Sequence, residues 1–100
     1  MGFSDQVIQK VWEKAVAVPD TNAAEWRKDE CGARIGRKSY GDRASSFGWD
    51  IDHITPVSRG GTDDLSNLRP LHWENNAARQ AGRLDCAVTS LGDKNVPARR

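Results

Sequence analysis

The sequence predicts a small, single-domain α+β fold, in which an N-terminal helix precedes a strand, a loop, a second strand and another helix. Apolar residues near the N-terminus recur at helical spacing, and the centre of the chain has β-branched residues between glycine and proline. The chain has 100 residues, a length that supports one hydrophobic core rather than two. We therefore expect a single folded unit.

The first predicted element is an amphipathic helix over residues 4–17, with Ser4 as N-cap and Pro19 after its end. Its apolar residues recur at spacings of three and four: Val7, Ile8, Val11, Trp12, Ala15 and Val16. The following segment PDTNAAEW is predicted to form a short helix or turn, and CGARIGRKSYG an irregular stretch. We expect residues 1–25 to form a helical segment that packs on the remaining chain.

The centre of the chain is predicted to hold two strands and a helix. GWDIDHITPV is typical of a strand of about six residues, SRGGTDDLSN of a turn-rich loop and LRPL of a short second strand. HWENNAARQAGRL lacks proline and is rich in helix formers, which predicts about three helical turns. Residues 85–100 are mostly small and polar, and a loosely held tail is expected there.

Charge is unevenly distributed, although the formal net charge is only +1. Residues 34–43 and 79–100 are rich in arginine and lysine, whereas residues 50–64 contain four aspartates and one arginine. A carboxylate-rich centre between basic flanks suits a cation site that contacts a polyanion. The hydrophobic share is 37% and the charged share 29%, which indicates a small core that a bound ion would help to stabilise.

The chain has two cysteines, Cys31 and Cys86, which lie outside any CxxC pair. They are too few for a disulfide framework or a four-cysteine zinc site, and we expect reduced thiols. The N-terminal segment MGFSDQVIQK lacks the pattern of a signal peptide, and no apolar stretch approaches the ~18 residues that span a bilayer. We therefore expect a soluble cytoplasmic protein without membrane association.

The segment WDIDHITPVSRGGTDDLSNLRPLHWENN has the most chemical content. An Asp-His pair ends its predicted strand, Asn67 follows a Gly-rich loop, and Asn76 lies nine positions later in the predicted helix. This order and spacing over residues 49–79 resemble the HNH, or ββα-metal, endonuclease family. Tyr40-Gly41 extends the resemblance more weakly towards Trp26. The resemblance implies a nuclease domain over residues 26–84 with a ββα-metal core.

The resemblance also implies a role for each motif residue. His53 is the general base that activates water, a role that suits a group titrating near neutral pH. The backbone carbonyl and side chain of Asn67 fix the loop and orient the imidazole. Asp52 and Asn76 bind a divalent cation, with Mg²⁺ or Mn²⁺ preferred and Zn²⁺ or Ni²⁺ as alternatives. The implied reaction is hydrolysis of DNA phosphodiester bonds, in which the cation stabilises the phosphate and the 3′ leaving oxygen.

Basic residues near the motif are candidate nucleic-acid contacts. The predicted second helix has one face formed by His72, Asn76, Arg79 and Arg83. Arg79 and Arg83 would therefore reach phosphates beside the cation. Arg37 and Lys38 are further candidates, although a solvated basic face explains these two equally well.

The chain departs from the commonest family pattern. Many relatives hold a structural zinc with two CxxC pairs, whereas here Cys31 matches one position and His72 and Asn75 stand at the second pair. A four-ligand zinc site is therefore not expected, and His72 stays open as a ligand, a hydrogen-bond donor or a packing residue. Adjacent Asp52 and His53 should point to opposite faces of an ideal strand, so a shared site requires a twist at the strand end.

The sequence leaves two main functions open. The first is an endonuclease, with DNA as the preferred substrate, acting alone, as a homodimer, or with phage packaging or restriction partners in a host cytoplasm. The second is a non-catalytic nucleic-acid-binding module of the same fold, which the complete motif argues against. A structural metal knuckle would need Cys and His ligands that the chain lacks. Asp50 is either an auxiliary ligand or a surface carboxylate.

Overall fold

Two α-helices and seven short strands form the secondary structure of residues 2–79 and 82–98, the part of the chain that the computed structural model describes. The N-terminal half contains α1 (Asp5–Trp12), β1 (Val16–Ala17), β2 (Trp26–Lys28) and β3 (Arg34–Gly36). The C-terminal half contains β4 (Trp49–His53), β5 (Leu68–His72), α2 (Trp73–Ala77), β6 (Val88–Leu91) and β7 (Lys94–Pro97). All three sheets are antiparallel, with strand orders β1-β2-β3, β4-β5 and β6-β7.

Helix α1 is shorter than the sequence predicts. The Ser4 hydroxyl caps it by accepting a hydrogen bond from the Val7 backbone N at 3.2 Å. The helix ends at Trp12 rather than at residue 17, because β1 pairs with β2 instead of continuing the helix. Pairing with a distant strand is a tertiary effect that outweighs a local helical pattern.

The hydrophobic core lies between α1 and one face of the β4–β5 pair. Trp12 of α1 and Trp49 of β4 are completely buried, and their ring centroids are 5.4 Å apart. The other buried members of the cluster are Ile8, Val11, Ala15, Ile35 and Leu68. Trp49 Nε1 also donates to the Gly36 carbonyl at 2.9 Å, so the core joins β4 to the end of β3.

A buried carboxylate joins the turn after β2 to the junction of β5 and α2. Asp29 is 3% exposed and accepts four hydrogen bonds of 2.9–3.0 Å, from Cys31 N, Ala33 N, His72 N and Asn75 Nδ2. Asn75 is fully buried, and its Oδ1 accepts from the backbone N of Ala87 and of Val88 at 2.8 Å. We call Asp29, His72 and Asn75 the Asp29 cluster.

A disulfide joins Cys31 to Cys86, so the expectation of reduced thiols is wrong. The two cysteines are 55 positions apart in sequence, but the fold places the turn after β2 beside the segment before β6. The expectation of a loosely held tail is also wrong for residues 86–98. Strands β6 and β7 form a hairpin, and the Asn95 side chain pairs with both the backbone N and the carbonyl of Arg34.

Helix α2 is shorter than the predicted three turns. It spans Trp73–Ala77, and Arg79 lies beyond its end, so the predicted single helical face from His72 to Arg83 is wrong. His72 is the N-cap, since its Nδ1 accepts from Glu74 N at 3.1 Å. Its Nε2 donates to a backbone carbonyl at 2.8 Å, and the ring is completely buried. His72 therefore caps and packs the helix.

The stretch predicted to be irregular, residues 31–41, contains strand β3 and a short helical turn, and the loop predicted to be turn-rich contains two more such turns. A 3-10 helix, Arg37–Ser39, follows β3, and two more, Val57–Arg59 and Leu65–Asn67, lie in the loop between β4 and β5. Within residues 2–79 and 82–98, the helices are too short and too polar to cross a lipid bilayer.

We expect Asp29→Ala to lower the free energy of unfolding by at least about 3 kcal/mol, because four donors, three of them buried, lose their acceptor. Urea denaturation of the purified protein measures this change. Glu13→Ala, at an exposed position on α1's C-cap, is the control and should change it by less than about 0.5 kcal/mol. A loss for Asp29→Ala as small as the control's would contradict a structural role for the cluster.

Candidate functional site

The buried carboxylate of Asp52 lies between two arginines. Asp52 is 4% exposed, its Oδ2 accepts from Arg69 Nε at 2.7 Å, and its Oδ1 accepts from Arg79 Nη1. The Arg79 guanidinium also donates to the carbonyls of His53 and Ile54 at the end of β4, at 2.6 and 3.3 Å. Arg79 Nε is buried and makes no hydrogen bond to any residue that the structure describes.

Asp50 links β4 to the helix that covers it. Its Oδ2 accepts from Asn76 Nδ2 at 3.0 Å and from Arg43 Nη2 at 2.7 Å. The side chain of Asp50 is 16% exposed, so Asp50 is not a freely solvated surface carboxylate. Asp50 and Asp52 alternate with apolar residues along β4, and both face the α2 side. The structure thus brings Asp50, Asp52, Asn76 and Arg79 together.

The opposite face of β4 carries His53. Trp49 and Ile51 on this face pack in the core against α1, and the His53 ring centroid lies 6.1 Å from that of Phe3, just before α1. The His53 side chain is 24% exposed, and its Nε2 lies 2.7 Å from Asp63 Oδ1. The contacts of Asp52 and His53 therefore diverge, as strand alternation requires.

Asn67 fastens the loop between β4 and β5. Its carbonyl accepts from Ile54 N at 2.8 Å, and its Oδ1 accepts from Thr55 N at 2.7 Å. Its Nδ2 donates to the carbonyls of Thr55 and Thr62, at 3.1 and 2.8 Å. Gly61 packs so closely that a Cβ there would collide with the Thr55 carbonyl. The described hydrogen bonds of Asn67 thus go to backbone groups rather than to the His53 ring.

Asp63 is the site residue that sequence reasoning missed. It belongs to the GGTDDLSN segment, whose sequence predicts a turn-rich loop within a carboxylate-rich region but no role for Asp63 itself. Its neighbour Asp64 is equally acidic, and the pattern alone does not distinguish them. The signal available in the sequence was spacing: Asp63 follows the candidate base His53 by ten positions, and the loop between them is short enough to bring the two side chains into contact.

The remaining predicted nucleic-acid contacts lie on other parts of the surface. Arg37 and Lys38 belong to the 3-10 helix after β3, where Arg37 Nε donates to Gln9 Oε1 of α1 at 2.9 Å. Both line a cavity of about 310 Å³ together with Trp26. Arg83 is exposed and follows α2 by several residues.

The oxygen donors near α2 suit a hard divalent cation. Two carboxylates and one amide, from Asp50, Asp52 and Asn76, provide the ligand type that Mg²⁺ and Mn²⁺ prefer. Among the described residues, no three His, Cys, Asp or Glu side chains form a metal-binding group. An ionised carboxylate has about four lone-pair positions, so the two arginines on Asp52 do not use its full accepting capacity. A cation there would share Asp52 with Arg79.

Comparison with known protein families finds a match. A family model described as HNH endonuclease matches residues 30–81. This range extends from the turn before β3 to beyond α2 and includes the four motif residues Asp52, His53, Asn67 and Asn76. Comparisons with curated proteins and with solved structures give no match.

Burial, and then the negative charge of Asp50, raise the pKa of Tyr40 above its ordinary value of 10.0. Tyr40 is the chain's single tyrosine, so phenolate absorbance titrates it alone. We expect a midpoint above that of free tyrosine, and Asp50→Asn should lower it only in part, because the burial remains. Since the pKa is raised in the folded state, the stability contributed by the neutral phenol is present below pH 10.0 and lost as pH rises through the folded value.

Asp93→Asn, in the exposed turn of the C-terminal hairpin, is the control and should leave the midpoint unchanged. An equal midpoint in the wild type and in Asp50→Asn would show that Asp50 does not act on the phenol.

Proposed function

Because the chain belongs to the HNH endonuclease family, we propose that it is a divalent-cation-dependent endonuclease that hydrolyses DNA phosphodiester bonds, with His53 as the general base. The observation that carries this proposal is the partly exposed imidazole of His53 at the end of β4. An imidazole in contact with solvent can accept a proton from water near neutral pH. We infer that residues 26–84 form the nuclease domain, and that β4, β5 and α2 are its ββα-metal core, with residues 1–25 packed on it.

The proposed reaction assigns one proton transfer to the protein. His53 takes a proton from a water molecule, the water oxygen bonds to phosphorus, the bond from phosphorus to the 3′ oxygen breaks, and the departing 3′ oxygen takes a proton from solvent. Cleavage in this direction leaves a 5′ phosphate. Asn67 holds the loop beside His53 through hydrogen bonds to the backbone of Thr55 and Thr62. The loop next to the imidazole therefore keeps one conformation when substrate binds. A divalent cation held by Asp52 and Asn76 would stabilise charge on the phosphate and on the 3′ leaving oxygen.

Arg79 is the residue we assign to the phosphate. An unpaired buried N–H costs about 1–3 kcal/mol, and Arg79 Nε has no hydrogen-bond partner among the described residues. If the Arg79 side chain shifts so that Nε reaches the surface, a phosphate oxygen would provide the acceptor that this N–H needs, and guanidinium groups bind phosphate well. The position of Arg79 beside Asp52 would place the phosphate next to the cation ligands.

A non-catalytic nucleic-acid-binding module is the second candidate. The observation that favours it is that both oxygens of Asp52 accept hydrogen bonds from arginine. If these contacts persist when nucleic acid binds, Asp52 has less capacity to hold a cation. Cleavage and cation binding therefore have to be measured separately.

We expect the purified protein to nick supercoiled plasmid with Mg²⁺ or Mn²⁺ and to be inactive in chelator. His53→Ala should reduce the nicking rate by about 10²- to 10⁴-fold, the usual cost of losing a general base. Asp93→Asn is the control for activity, and the urea midpoint of each variant reports its folding. DNA binding on a gel without cleavage under any ion would instead support the non-catalytic module.

We expect Arg79→Ala to tighten Mn²⁺ binding to the free protein by about 10-fold or more, because a positive charge is removed from Asp52. Isothermal titration calorimetry measures this without cleavage. Asp52→Asn should weaken Mn²⁺ binding, whereas Arg83→Ala, a matched change at an exposed arginine, should leave it unchanged. Unchanged Mn²⁺ affinity in both Arg79→Ala and Asp52→Asn would exclude Asp52 as a cation ligand.

A further inference from the structure

The side chain that contacts the His53 ring is a carboxylate from the neighbouring loop. Asp63 Oδ1 lies 2.7 Å from His53 Nε2, which is hydrogen-bond distance. The His53 ring also lies near the Phe3 ring, and the His53 carbonyl accepts a hydrogen bond from the Arg79 guanidinium. In the part of the chain that the structure describes, the Asp63 carboxylate is thus a charged group in direct contact with the His53 ring.

The chemistry of this contact determines which ring nitrogen carries hydrogen. Asp63 is 75% exposed, and an ionised carboxylate can only accept a hydrogen bond. His53 Nε2 must therefore donate, so that in the neutral imidazole Nδ1 keeps its lone pair. The nitrogen available to take a proton from water is then Nδ1.

The loop holds Asp63 from both sides. On one side, the carbonyl of Thr62 accepts from Asn67 Nδ2 at 2.8 Å. On the other, the carbonyl of Asp64 accepts from Asn67 N at 2.8 Å, and Asp64 N donates to Thr62 Oγ1 at 3.3 Å. Asn67 thus anchors both chain neighbours of Asp63. An exposed ion pair is usually weakly ordered, but here the backbone that presents the carboxylate is fixed.

We propose that Asp63 is a positioning residue for His53, and that Asn67 orients the imidazole through Asp63. This inference rests on the proposed nuclease function. Asp63 keeps hydrogen on Nε2, so Nδ1 accepts the proton released as the water oxygen bonds to phosphorus. The imidazolium that forms carries hydrogen on both nitrogens, and the Asp63 carboxylate stabilises its charge. The proton later leaves Nδ1 for solvent, which restores the neutral ring.

The kinetic test uses two adjacent aspartates as a matched pair. Asp63→Ala should lower kcat for nicking by about 10- to 100-fold with KM nearly unchanged, as expected when a group that orients a histidine is lost. Asp64→Ala should leave kcat unchanged, since the 3-10 helix after Asp64 has no side-chain cap. Asp63→Glu should recover part of kcat, which a general loss of structure would not allow. Equal kcat in the wild type and Asp63→Ala would overturn the proposal.

A second measurement does not require cleavage. The chain has two histidines, so the nitrogen NMR signals of both imidazoles can be assigned with His53→Ala. We expect the Nε2–H form for His53 in the wild type and in Asp64→Ala, and a mixture of both tautomers in Asp63→Ala. His72, whose Nε2 donates to the Ser46 carbonyl, is the internal reference.

The two proposals fail in different ways. If no ion supports cleavage, the nuclease proposal fails, whatever the tautomer of His53 is. If the protein cleaves DNA but the tautomer of His53 and kcat are the same in the wild type and Asp63→Ala, the positioning role of Asp63 fails and the nuclease proposal stands.

Discussion

The four hydrogen bonds accepted by Asp29 are the constraint on which the rest of the structure depends. Two of them close the turn between β2 and β3, and the other two hold the start of α2. Because His72 ends β5 and caps α2, this carboxylate determines where the strand stops and where the helix begins. The positions of Asn76 and Arg79 relative to β4 follow from that boundary. A buried carboxylate with every oxygen paired is stable only while all of its donors stay in place.

The same region shows how this chain manages without the cysteine pairs of many relatives. Positions that resemble those of a zinc site hold His72 and Asn75, and both take part in the Asp29 cluster. Cys31, the one cysteine at a position of the zinc pattern, forms a disulfide with Cys86 instead. A metal joins several chain segments through one ion, whereas here hydrogen bonds and one covalent bond join the same kinds of segment. The C-terminal hairpin is part of this arrangement, because Asn75 holds the first residue of β6.

The order of strand, loop, strand and helix in the centre of the chain could be predicted from the sequence, because glycine, proline and β-branched residues are local signals. The lengths of both helices could not, since β1 pairs with a strand ten residues away and Arg79 binds the last carbonyl of β4. The pairing of Cys31 with Cys86 and the two arginines on Asp52 depend on distant contacts in the same way. The motif indicated Asp52, His53, Asn67 and Asn76, but spacing carries no information on which groups surround them, and Asp63 was therefore missed.

The disulfide also changes the covalent connectivity of the chain, because it closes residues 31–86 into a ring. Every candidate site residue, from Arg37 to Arg83, lies inside the covalent ring that runs from Cys31 to Cys86, and α1 and the C-terminal hairpin are arms attached to that ring. A single backbone break within the exposed residues 57–60 opens the ring but leaves one covalent molecule, with β4 and β5 still on their partners. The turn after β2 and the segment before β6 are far apart along the chain but are covalent neighbours in the oxidised molecule. The candidate site therefore lies within a covalently closed loop of the chain.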